Sequence, residues 1–512
     1  MRAGRFGAGL VVALALTACG TTVPLTQQAS TGQQGDGLSP GTTTGGVVES
    51  GTSTTGAGGT VGTTGPGGTT GGGSTTGGGA TSSTSSGAGS STTGALPGPS
   101  GVTLANGRGV TDKTITIGVA VPGGTTQLAN AFGISGAGTI AEEDVLKVAV
   151  ADINKHGGIL GRKVEIYTHS FDSAAYLSNP SQVIAEICSD FRDDHKVFAV
   201  VFNLADPALR ACTAAMGSPL LILDGVSSLL SQRAYAEHGG SFLYGVDNIT
   251  TERLASLFVT SLAQRSFFEM WNVATGEKGG VGTSRLGVIH VDSADQNTLY
   301  ADYAAELKKH GLHFTDTVTY KADASTALAA TQSAVLKFRA DGITHVFGAS
   351  AFFLQDAQSQ NYHPRYAYLP GLGALGAENS PAAQLKGAMT VGWAPVADVE
   401  AAQDPGASPA AKRCLAVMKP AGFTPQNRQD EALEYSVCDL LSMVKAALTA
   451  SGSPTVAGFR RGFESLGSTL GVGYSLTATL GVGHHFGANA VRDMVFDSGC
   501  SCLRYSSRTN RT

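Results

Sequence analysis

Among 512 residues, the side chains that could do chemistry are seven cysteines, a few hydroxyl-rich turns and one pair of histidines. Gly225-Val226-Ser227-Ser228 and Gly348-Ala349-Ser350 each place a serine after a glycine. Both lack the second glycine of a nucleophile elbow, which the sharp strand-to-helix turn requires. There is no phosphate-cradling Gly-x-x-x-x-Gly-Lys-Ser/Thr loop and no His-Glu-x-x-His. His484-His485 sits in a glycine-rich tail without a nearby carboxylate cluster, and reads as a surface loop. No enzyme, cofactor or metal is expected from these residues. Past Cys19, six cysteines remain: Cys188, Cys212, Cys414, Cys438, Cys500 and Cys502. An even number in an exported chain favours disulfides. A metal site lacks Cys-x-x-Cys spacing and convergent histidines. A redox-active Cys500-Ser501-Cys502 stays open as an alternative. Net charge is −5, with no basic patch and no RNA-binding aromatic motif, which excludes nucleic acid as a partner.

The elements that must position these residues follow from periodicity. Val145, Val148, Ala149 and Ile153 recur at three- and four-residue steps and share one helix face. Gly157 and Gly158 stop that helix, because glycine takes the left-handed conformation without steric cost. Thr114–Val121 before it and Lys163–Tyr167 after it read as strands. Strand, helix and strand make a βαβ unit, and a parallel sheet follows. The alternation continues with a helix over 180–191, a strand over 197–202, a helix over 208–216 and a strand over 219–223. It restarts near Asp247-Asn248-Ile249-Thr250. There follow a helix over 252–264, a strand over 285–291, a helix over 297–310, a strand over 314–320, a helix over 325–340 and a strand over 344–348. Trp393-Ala394-Pro395 reads as extended chain between two lobes. Helices are expected over 430–450 and 453–467, and short extended pieces over 474–505. Cys188 ends one helix and Cys212 lies in the next, so the two can meet on one sheet face. Cys414 and Cys438 lie on successive helices, which leaves Cys500 for Cys502. In such sheets ligands sit at the C-terminal strand ends. Here these are Pro122–Thr126, Asn203–Asp206 and Gly225–Ser228.

The run Ala151-Asp152-Ile153-Asn154, followed by Gly157-Gly158-Ile159-Leu160-Gly161-Arg162 and a strand, carries a resemblance. It resembles the first βαβ unit of the branched-chain-amino-acid-type solute-binding proteins, the extracytoplasmic receptors of one class of ABC importers. The resemblance implies a type I periplasmic-binding-protein fold. That is an α/β protein of two Rossmann-like lobes with parallel sheets flanked by helices, a three-crossover hinge and a ligand cleft between the lobes. It places lobe 1 at 110–247 plus 396–470 and lobe 2 at 248–395 plus 471–505. It implies ligand contacts from Phe132, Ala205, Gly225, Ser227 and Tyr435 in lobe 1 and Phe352 in lobe 2, and Asn203, from the strand-end reading, joins them as a candidate contact. It implies an ABC permease as partner, and a monomer. The family's amino-acid binders carry an acid after the lobe 2 strand that follows Val346. This chain has Leu369-Pro370-Gly371-Leu372-Gly373-Ala374 there, and Glu378 lies too far along to substitute. A buried ammonium without a counter-charge is costly, so a carboxylate, aromatic or less polar ligand fits at least as well as an α-amino acid.

The N-terminus reads as an address. Arg2 and Arg5 precede a short apolar stretch, Gly7–Leu16, and Leu16-Thr17-Ala18-Cys19-Gly20 resembles a bacterial lipobox. Residues 1–18 are then a signal peptide and Cys19 the acylated residue that anchors the chain to the outer face of the cell membrane. Residues 19–109 are mostly Gly, Ser and Thr, too poor in apolar side chains to offset ordering entropy. A flexible tether of ~90 residues reaches on the order of 50 Å. Two further readings stay open: a ligand sensor or non-transporting scaffold on the same fold, and a secreted enzyme using the cysteines or the Ser227 loop.

Overall fold

The first βαβ unit forms as its residue pattern requires. In the computed structural model, which describes residues 107–512 except 126, 128–137, 204, 224, 227, 234–241, 322–323 and 372, β1 (Thr114–Gly123) and β2 (Lys163–Asp172) pair in parallel over their full length. Between them α1 (Glu142–Lys155) buries Val145, Leu146, Ala149, Val150 and Ile153. Its first turn holds Glu142, Glu143 and Asp144 and its last holds Lys155, which suits the helix dipole. Asn154 ties the helix end to β2: its Nδ2 donates to the Val164 carbonyl (2.9 Å), and its Oδ1 accepts the Val164 N–H (2.8 Å). Gly158 has φ +71°, and a Cβ there would lie 1.9 Å from the Arg162 carbonyl oxygen. The motif is therefore a helix lock. The signal peptide, Cys19, nearly all of the tether, Phe132 and Ser227 lie outside the described residues.

The first sheet has the order β2-β1-β3-β4-β5, all parallel, with β3 (Ala199–Phe202), β4 (Leu220–Ile222) and β5 (Leu243–Tyr244). Its helices include α2 (Ser173–Ser178), α3 (Pro180–Ser189) and α4 (Pro207–Met216). After α5 (Thr251–Gln264) and a small hairpin, β6 (Trp271–Asn272) with β7 (Glu277–Lys278), the second sheet begins. It contains β8 (Leu286–Val291), β9 (Phe314–Tyr320), β10 (His345–Phe347), β11 (Arg365–Ala367), β12 (Met389–Gly392), β13 (Arg492–Asp497) and β14 (Cys502–Tyr505). The order is β14-β13-β12-β11-β10-β8-β9, parallel except for the β13–β14 hairpin, which joins β12 antiparallel. Around it lie α6 (Ala294–Lys309), α7 (Ala324–Ala340), α8 (Ala351–Ser359), α9 (Gly373–Glu378) and α10 (Ala382–Leu385). The two-residue and three-residue strands β5 and β11 are too short to show a period in the sequence.

Between β12 and β13 the chain returns to the first sheet. It forms α11 (Pro395–Asp398), α12 (Pro409–Met418), α13 (Arg428–Ser451) and α14 (Val456–Glu464), and α12 and α13 pack on α1. The Trp393–Pro395 stretch, read as extended, turns into α11 at Pro395, a residue whose fixed φ suits a first helical turn. The chain thus crosses between the sheets three times, and the crossings bond to one another. Trp393 Nε1 donates to the Asp247 carbonyl (3.0 Å) and the Leu476 N–H to the Trp393 carbonyl (2.7 Å). The Ser475 hydroxyl donates to Asp247 Oδ1 (2.6 Å).

Two placements differ from the sequence reading. Residues 471–488 go there with lobe 2, yet much of this segment lies against lobe 1. The Gly473 and Tyr474 N–H groups donate to Asp439 Oδ2 (2.6 and 2.8 Å), and Phe486 enters the core around β3 and β4. The chain joins the second sheet at Arg492. The pieces are too short for their lobe to be read from pattern; burial of Tyr474 and Phe486 decides it. His485 is not a surface residue. It is 8% exposed, stacks on Tyr244 at 4.8 Å, and its Nδ1 bonds the Leu243 carbonyl at 2.9 Å. The cysteine sulfurs meet in the two pairs that helix order suggests, Cys188–Cys212 (1.91 Å) and Cys414–Cys438 (2.06 Å), and in the remaining pair, Cys500–Cys502 (1.98 Å).

Candidate functional site

The C-terminal strand ends of both sheets carry loops that meet in two places. On lobe 1, Asp206 caps α4, its Oδ1 accepting the N–H groups of Ala208 (2.8 Å) and Leu209 (3.1 Å). Its Oδ2 accepts the Tyr176 hydroxyl (3.0 Å). These bonds hold the first turn of α4, and Arg210 with it, at the end of β3. On lobe 2, Ser293 caps α6 by accepting the Gln296 N–H (3.3 Å), which sets Asp295 in the first turn after β8. Arg210 Nη2 then reaches Asp295 Oδ2 across the gap at 3.4 Å. Nearer the hinge, Gly371 after β11 lies against Val226 after β4. A Cβ on Gly371 would lie 3.1 Å from Val226 Cγ1 and 2.7 Å from the Trp393 ring.

Several polar atoms are buried at the lobe 1 strand ends without a hydrogen-bond partner among the described residues: Thr125 Oγ1 after β1, Ser173 Oγ after β2 and Arg210 Nε after β3. Native interiors leave few such groups, and these three make the lobe 1 strand ends the candidate site. A separate open cavity of about 640 Å³ lies at the lobe 2 sheet edge, lined by Asp292, Thr319, Tyr320, Lys321, Thr326 and Ser333 among others. No group of three or more His, Cys, Asp or Glu among the described residues is arranged to hold a metal ion.

The residues singled out in the sequence fall differently. Asn203 directly follows β3 and is 3% exposed. The Ala205 N–H donates to Ser228 Oγ (2.9 Å), tying the loop after β3 to the loop after β4. Gly225 faces the crossings: a Cβ there would lie 2.7 Å from Asp247 Cβ and 2.7 Å from Tyr474 Cε1. Its missing side chain makes room for the hinge. Tyr435 is buried on α13, with its hydroxyl donating to Glu431 Oε1 (2.6 Å). Burial, helped by that carboxylate, pushes its phenol far above the ordinary value. Phe352 is half-buried, one residue before the fully buried Phe353 in the first turn of α8. Sequence reasoning missed Arg210, Asp295 and Ser173, whereas Thr125 falls in the strand-end stretch Pro122–Thr126 it had named. The one available signal was an arginine in the first turn of an otherwise apolar helix opening at a strand end.

Two buried carboxyls hold the crossings. Asp398 Oδ2 accepts the Ala394 N–H and the Tyr505 hydroxyl, both at 2.7 Å. Asp439 Oδ2 holds the Gly473 and Tyr474 N–H groups. Burial pushes each up to about 7, against the pull of these hydrogen bonds and of Arg428 and Arg413 respectively.

The model of a family described as periplasmic binding protein matches residues 114–494. No curated protein matches the chain. Among solved structures the chain is similar to a fatty acid ABC transporter substrate-binding protein from Thermomonospora curvata, at 15% identity and TM-score 0.55, covering 79% of this chain and 94% of that one. It is also similar to a solute binding protein of an ABC transporter from Rhodopseudomonas palustris BisB5 in complex with 3,4-dihydroxy benzoic acid (13%, TM-score 0.53, 78% and 97%). A third is an ABC transporter substrate-binding protein from Desulfitobacterium hafniense in complex with Leu (18%, TM-score 0.50, 77% and 100%). At these identities the likeness is one of fold.

Proposed function

Because the chain belongs to the periplasmic binding protein family, we propose that it is a lipid-anchored extracytoplasmic receptor that captures a small organic molecule for an ABC importer. One observation carries the ligand-binding part. The strand-end loops of the two sheets meet across three mutually bonded crossings, and Thr125, Ser173 and Arg210 bury unpartnered polar atoms at the strand ends of the first sheet. Such a hinge lets lobes close on a ligand. The ligand is an amino acid, carboxylate or related molecule, with Asn203, Ala205, Ser227, Phe132, Phe352 and Tyr435 as candidate contacts. Gly225 shapes the hinge beside them. Cys19 is the acylated residue, residues 19–109 are the tether, and the three cysteine pairs are disulfides suited to an oxidising compartment.

A thermal-shift panel of amino acids, carboxylates and aromatics tests the receptor. A ligand that binds the native state alone raises its melting temperature by mass action. A broad panel without a single shift overturns the reading. Anchoring has its own test: Cys19→Ala releases the chain from the membrane fraction, and retention there overturns acylation at Cys19.

A further inference from the structure

We infer that Arg210 receives the carboxylate of an organic acid entering the cleft, and that Asp295 holds that place in the unliganded protein. The inference rests on the receptor reading above and names its ligand class. Arg210 carries a guanidinium whose side chain is 5% exposed. That group offers five donors in a planar fork. Its described side-chain contact is the single bond to Asp295 Oδ2 at 3.4 Å, longer than the roughly 2.7–2.9 Å of a good charge-assisted bond. Nε is buried without a partner. A cation so enclosed and so thinly paired is out of balance, because a buried charge needs close partners for its donors.

A carboxylate supplies what is missing. Its two oxygens match the guanidinium fork and accept two parallel N–H groups. The hydroxyls of Thr125 and Ser173 are likewise buried without a partner among the described residues, at the ends of β1 and β2 in the same sheet. Asp295 gives way without being stranded. Its side chain is 35% exposed at the start of α6, so water takes over its charge when Arg210 turns to the ligand. The swap leaves neither charge buried alone. The described part of the loop after β11, Tyr368–Gly371, has no acid to pair an ammonium.

Isothermal titration of the purified protein with isovalerate and benzoate, with isovaleramide, benzamide, leucine and inorganic phosphate as matched arms, decides this. The acids bind and their amides bind at least about tenfold more weakly. Arg210→Gln weakens the acids at least about tenfold, Arg210→Lys recovers part of the loss, and Asp295→Asn tightens them. The acid–amide comparison uses the native chain, so it stands even where a variant folds poorly. Amides or leucine binding as tightly as the acids overturn the inference and leave the receptor standing, as does an Arg210→Gln protein that folds and binds the acids unchanged. Phosphate binding more tightly than the acids overturns the ligand class. No heat with either acid overturns the inference; only silence across the broader panel overturns the receptor.

Discussion

Glycine and arginine do opposite work at this site. At position 225 a side chain has nowhere to go, because the Cβ would press on Asp247 and Tyr474 at 2.7 Å. Gly225→Ala is expected to destabilise the protein by about 1–3 kcal/mol through overpacking, read as a lower urea midpoint. An unchanged midpoint would mean the crossings yield freely. Tyr435 tests a different point. Its hydroxyl is already engaged by Glu431, which also takes Arg428 Nη1. Tyr435→Phe should cost roughly 0.5–1.5 kcal/mol of stability by removing that bond; a loss of ligand affinity on top would show that the ring also meets the ligand. At this scale the sequence was a poor guide. Gly225 and Tyr435 stand out by type, but Gly225 faces Tyr474, some 250 residues on, and the Tyr435 hydroxyl is taken by Glu431 one turn earlier, and neither placement shows in the residue type.

Elements make two sharper tests. The three glycines after α1 all have positive φ, yet a Cβ on Gly157 or Gly161 would meet nothing within 4 Å, whereas one on Gly158 would strike the Arg162 carbonyl. Gly158→Ala should therefore lower stability more than Gly161→Ala, by at least about 1 kcal/mol. Equal losses would show that conformation alone, not the close approach, demands glycine there. At the crossings, Asp398 and Asp439 have values raised from the ordinary 3.8 to about 7. A raised acid favours the folded state while it is protonated. Its contribution is fully present below about pH 4 and is lost as pH rises towards 7. Asp398→Asn mimics the neutral form and should flatten that decline in a series of urea melts from pH 4 to 7; an unaltered slope would show that Asp398 does not titrate in this window.

In the whole molecule, two cysteine pairs each close a sequence separation of 24 residues, while Cys500 and Cys502 are two apart. Loop-closure entropy then predicts roughly 3 kcal/mol for each longer link and much less for the short one. Replacing Cys188 and Cys212 together by serine should lower the melting temperature clearly, and the same change at Cys500 and Cys502 only slightly; the reverse order would contradict the entropic account. Peptide mapping without reductant reads the pairing itself. The alternation of strands and helices, the Asn154–Arg162 lock and the restart near Asp247 were all legible in the chain, because each is a local pattern whose period survives without knowledge of neighbours. The sequence by itself therefore determined a two-lobe α/β protein and its family. Only the tertiary structure decided that residues 471–488 lie largely on lobe 1, that His485 is buried, and that Arg210 meets Asp295. Those facts depend on which distant surfaces close on one another, and burial of a charge or an aromatic ring is settled only when they do.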